Sequence, residues 1–179
     1  FDGFTQQAYA QKMIDEYKAA GVDPRRVWPQ SFNQDDVLYW VRHEPAFGRQ
    51  AVYLDDAATV ADLPGAAALA RYRAAGIRIW APPTFALLAL DSQGQIVPSD
   101  AARHAKQAGL ELITWTLERS GLLADGNNGF YFQTFDSAIR REGDVMRVID
   151  VLAKDVGVLG IFSDWPATVS FYANCMGLK

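Results

Sequence analysis

At five places in this 179-residue chain, polar and aromatic side chains follow directly on a short apolar run. They are Gln30, Ser31 and Phe32; Asp55 and Asp56; Pro82 and Pro83; Trp115, Thr116, Glu118 and Arg119; and Ser163, Asp164 and Trp165. Brought to one surface, carboxylates, amides and aromatic planes suit a small polar ligand with an apolar edge. Each group also has a purely structural reading. Ser31 can satisfy a buried turn, Trp115 can be core, and Asp164, two residues before Pro166, can cap a helix. Asp55 and Asp56 read as a solvated loop start, because no third carboxylate or histidine recurs at metal-ligand spacing.

The two histidines fall elsewhere. His43 ends the helical stretch "DDVLYWVRHE", where an imidazolium complements the helix dipole, and His104 lies in the polar stretch "ARHAKQ". Cys175 is the single cysteine, so it forms no internal disulfide. The chain therefore shows no acid–base pair and no metal set of its own.

The elements that must carry these residues alternate. Tyr9, Met13, Ile14 and Tyr17 recur at helical spacing from Thr5 to Ala20, and Gly21 stops that helix. "RVWPQSF" reads as a strand, after which Asn33 can cap a helix that Pro45 ends. "QAVYLD", "IRIWAPP", "LELITWTL" and "GVLGIFSD" are further strands. Helices follow at residues 60–76, after Ser99, at about 144–155, and in "WPATVSFYANCMG" with Pro166 in its first turn. "FALLALDSQGQIVP" interrupts the order as a small hairpin. "ERSGLLADGNNGFYFQTF" is a long aromatic-rich irregular stretch of the kind that tends to be functional. Strands each followed by a helix imply parallel pairing, and runs apolar on both parities imply strands covered on both faces. No glycine-rich phosphate fingerprint follows any strand, which argues against a dinucleotide fold.

Five such strands are too few to close a TIM-type (β/α)8 barrel, which typically needs about 250 residues. The expectation is one α/β domain over residues 1–179 that supplies the last five strand–helix units, with the first three strands outside this chain. The net charge of −4 and the scattered Lys and Arg give no nucleic-acid footprint. No apolar run reaches the roughly 20 residues of a membrane span.

In order, "VWPQSF", "IWAPP", "ITWTL" and "GVLGIFSDWPATVSFY" resemble the glycerophosphodiester phosphodiesterase family, from about Thr5 to Leu178. The resemblance implies a TIM-type barrel that hydrolyses glycerophosphodiesters to an alcohol and glycerol 3-phosphate with a divalent cation, Ca²⁺ or Mg²⁺. The family's catalytic histidines and metal ligands fall on its first strand units, so it implies no catalytic and no metal residue in this chain. It does imply substrate-binding roles for Gln30, Phe32, Trp115 and Asp164, completion by the N-terminal part of the same barrel, and a periplasmic or secreted location. The alternative is a non-catalytic half-barrel that binds a ligand or assembles through its open sheet edges.

Overall fold

The computed structural model describes residues 3–118, 121–126 and 129–178. Arg119, Ser120, Asn127 and Asn128 of the long irregular stretch lie outside the described residues. The alternating pattern folds as an α/β structure around a five-stranded parallel sheet. Its strands, in spatial order, are β1 (Gln30–Ser31), β2 (Val52–Leu54), β3 (Ile79–Ala81), β6 (Glu111–Thr114) and β7 (Gly160–Ile161). The two missing numbers are β4 (Leu88–Leu90) and β5 (Ile96–Pro98), the antiparallel hairpin expected between β3 and the next helix. Each strand of the main sheet pairs with its sequence neighbour, so the chain climbs the sheet in one direction from β1 to β7.

Register sorts the strand residues onto two faces. Val52, Leu54, Ile79 and Ala81 form one apolar cluster with Ile113 and Trp115 against them. Tyr53, Trp80 and Leu112 share the opposite face and pack under the helices, with Leu69, Ala105, Ile149 and Leu152. The helices there are α4 (Ala66–Ala74), α6 (Asp100–Gln107) and α7 (Val145–Asp150). Tyr53 meets Tyr72 edge-on at 5.3 Å, and burial pushes both phenols above their ordinary pKa.

A second cluster holds the N-terminal layer together. In α1 (Gln6–Ala19) Thr5 caps through Ala8 N, and Ala10 and Ile14 face α2 (Gln34–His43). The Trp40 indole N–H donates to Ala10 O at 3.0 Å, and Asn33 caps α2 as its side-chain chemistry dictates. Pro45 does more than end α2: it opens α3 (Pro45–Gly48), where α3 crowds α2 so closely that a Cβ on Gly48 would lie 2.4 Å from Trp40 O. Gln6 and Ser31 both donate to Asp36, which is buried, so the serine of the Gln-Ser-Phe run ties β1 to α2.

Two expectations are corrected by packing. Asp55 is not a solvated loop start; it is buried and accepts from Ala57 N at 3.0 Å and from the Trp80 indole at 2.9 Å. A fully buried tryptophan needs an acceptor for its N–H, and Asp55 is the group within reach. The helix expected over residues 144–155 starts one residue later and changes form. Asp144 instead accepts from the backbone of Arg140 and Arg141, and α7 continues from Val151 to Val156 as a π-helical stretch.

Candidate functional site

The carboxyl ends of the parallel strands form a cleft of about 280 Å³. Gln30, Phe32, Trp115 and Asp164, the four residues singled out in the sequence, all line it. They come from β1, β6 and the turn after β7, so the sheet brings together positions up to 134 residues apart, from Gln30 to Asp164. Leu54 and the side chains of Thr116, Tyr131, Phe162 and Ser163 complete the wall.

Trp115 is the centre of this wall, and its orientation is fixed from several sides. Its indole N–H donates to Ala81 O at 2.9 Å, so the polar edge turns into the sheet and the ring is left for contact. Phe32 meets it edge-on at 5.6 Å and 87°, and Tyr131 meets it at 5.8 Å and 72°. Thr84 N donates to Trp115 O at 2.8 Å and holds its backbone.

The long irregular stretch supplies Tyr131 because its own contacts hold it over the strand ends. Thr134 donates its hydroxyl toward Phe85 O and Leu88 O at 2.9 Å, and the Gln133 amide donates to Ala58 O at 3.1 Å. Phe130 stacks edge-on with Phe85 at 5.2 Å and with Tyr131 at 5.1 Å. The aromatic density of "GFYFQTF" was the signal for this part of the site, and periodicity alone could not have said which ring turns inward.

The far wall rests on Glu118. Its carboxylate accepts the Ser163 hydroxyl and, at 2.9 Å, the backbone N–H of Asp164, while Ser163 Oγ accepts from Trp165 N at 3.2 Å. The open question over Asp164 is thereby narrowed. In α8 (Pro166–Cys175) the residue at the cap position is Trp165, and the Asp164 backbone just before it is tied to Glu118. Glu118 stands among the sequence's strand-end residues, but its anchoring role depends on a partner 45 residues away, Ser163. Arg119 lies outside the described residues.

Neither histidine reaches this cleft. His43 ends α2 and stacks against Tyr39 at 4.7 Å, and His104 lies in α6. Among the described residues no three His, Cys, Asp or Glu side chains come together as a possible metal set. What the cleft offers is a polarised aromatic wall, an exposed amide, and a serine–aspartate turn held by a carboxylate.

No helix among the described residues is long and apolar enough to cross a membrane. The chain matches no protein-family model. It is 49% identical over 179 residues to a protein of Arthroderma benhamiae named "Extracellular protein", in an alignment covering 98% of this chain and 73% of that one. At that identity and coverage, this chain belongs to the same family as that extracellular protein.

Proposed function

We propose that this chain forms the substrate-binding half of a secreted glycerophosphodiester phosphodiesterase: a TIM-type barrel whose last five strand–helix units are β1 to α8. The observation that carries the reading is convergence. Three of the four motifs that resemble that family carry Gln30, Phe32, Trp115 and Asp164, and these four line one cleft at the strand carboxyl ends, where parallel α/β folds bind ligands. The relative is longer than the alignment. Its name supports secretion.

In this reading the chain's own residues bind and orient. Trp115 and Phe32 present hydrocarbon and π surface to the glycerol carbons or to a quaternary ammonium head group, for which an indole face is a suitable partner. Gln30 hydrogen-bonds a substrate hydroxyl. Glu118, through Ser163 and the Asp164 backbone, holds the turn that would adjoin the barrel's first strand. The divalent cation, Ca²⁺ or Mg²⁺, would neutralise the phosphoryl oxygens from ligands outside this chain.

The test is product release. The full-length protein supplied with Ca²⁺ or Mg²⁺ should convert glycerophosphocholine to choline and glycerol 3-phosphate, and chelation should stop it. A full-length protein that binds neither cation nor glycerophosphocholine would overturn the reading.

A further inference from the structure

Tyr131 lines the cleft, and the hydrolytic reading gives it no part. Three rings from three elements meet there: Phe32 after β1, Trp115 after β6, and Tyr131 from the segment between β6 and α7. Phe32 and Tyr131 stand at 87° and 72° to the Trp115 plane, with centroids 5.6 and 5.8 Å from its own. Rings set so steeply to one another do not sandwich a flat ligand. They form a corner that closes around a rounded group.

The chain's own core holds Tyr131 in this corner. Phe130 before it packs on the buried Phe85, and Phe132 after it is buried against Phe135 at 4.9 Å. Thr134 bonds Phe85 O and Leu88 O, which belong to the segment after β3, the middle strand of the sheet. The position of Tyr131 therefore does not depend on what lies beyond either edge strand. The Trp115 N–H is taken up by Ala81 O, so its ring offers π density rather than a donor. Among the described residues no Lys, Arg or His lines the cleft, so no fixed positive charge repels a cation there.

We propose that Phe32, Trp115 and Tyr131 form an aromatic corner for a trimethylammonium group, and that Tyr131 sets a preference for a choline-type over an ethanolamine-type head group. A trimethylammonium is tetrahedral, spreads its charge over methyl groups and has no N–H, so aromatic faces replace its loose hydration well. A primary ammonium brings three N–H donors that must leave water, and rings accept them only weakly. A sugar or other neutral polyol would stack a flat face on one ring and gain nothing from a second ring at a right angle to it. At about 280 Å³ the cleft lies just under the roughly 300–1,000 Å³ of drug-sized ligand sites, a size for a head group. The proposal rests on the hydrolytic reading for the rest of the substrate, but the corner requires that free choline bind whether or not a diester is cleaved.

The test is calorimetric titration of the full-length protein with choline, ethanolamine and 3,3-dimethyl-1-butanol, the uncharged isostere of choline. Wild type should bind choline about tenfold more tightly than either of the others. Y131L keeps apolar bulk but has no π face, so it should lower choline affinity about fivefold and leave the isostere's affinity unchanged, whereas Y131F should bind choline as wild type does. Circular dichroism confirms folding, and the wild-type ratio of choline to isostere decides the matter if Y131L fails to fold. Equal affinity for choline and its isostere would overturn the cation site, and a Y131L that binds choline like wild type would overturn the role of Tyr131. Choline binding by a protein that leaves glycerophosphocholine intact would support the corner and overturn only the hydrolytic reading. Cleavage of glycerophosphocholine and glycerophosphoethanolamine at equal kcat/KM, without choline binding, would overturn the corner and leave hydrolysis standing.

Discussion

Single residues decide the chemistry of the cleft, and they divide into two kinds. Trp115 and Phe32 line the cleft wall, whereas Asp55 and Glu118 bond to other protein groups. D55A should destabilise the fold by about 1–3 kcal/mol in urea unfolding, because it strands the buried Trp80 indole N–H without an acceptor. E118A should leave the fold largely intact, since only one end of a rim turn is released, yet it should weaken binding of glycerophosphocholine by the full-length protein. A variant bound as tightly as wild type would contradict the anchoring role. Asp144 gives a pH prediction. Backbone N–H groups of Arg140 and Arg141 hold its carboxyl below the ordinary carboxylate range. A lowered folded pKa means its contribution is complete above the unfolded value of about 3.9 and is lost as pH falls through the folded value. Wild type should therefore lose urea resistance between neutral and strongly acid pH more steeply than D144N, with denaturation midpoints as the measure.

At the scale of elements, local sequence was legible where one residue's chemistry settles the outcome. Thr5, Asn33 and Ser99 accept the cap hydrogen bonds their side chains suit, and the Ser-Gln-Gly-Gln turn makes its hairpin. It failed where a distant partner decides. Asp55 was misread because its partner Trp80 lies 25 residues on, and the π-helical end of the α7 stretch leaves no trace in apolar spacing. Gln30, Phe32, Trp115 and Asp164 stand at strand ends in the sequence and meet in the cleft, whereas the inward turn of Tyr131 and the anchoring by Glu118 depend on contacts that only the folded loops create. The close approach of α3 to α2 yields a further test. G48A should cost about 1–3 kcal/mol, because the added methyl meets the α2 backbone at Trp40 rather than a movable side chain. Thermal unfolding of the variant measures it.

At the scale of the molecule, the sheet ends on β1 and β7, each paired with one neighbour among the described residues. Apolar side chains stand exposed toward the C-terminal end, with Leu159 50%, Phe171 60% and Met176 47% accessible. Open parallel edges and apolar faces invite pairing. Residues 1–179 alone should therefore self-associate with rising concentration in sedimentation equilibrium, and the full-length protein should not.

The central claim is that the Trp115 wall contacts the substrate, and steady-state kinetics of the full-length protein on glycerophosphocholine test it most directly. W115A should raise KM about tenfold, the equivalent of ~1.4 kcal/mol of lost binding, while W115F should retain most of it. Equal KM for wild type and W115A, with hydrolysis intact, would contradict the claim.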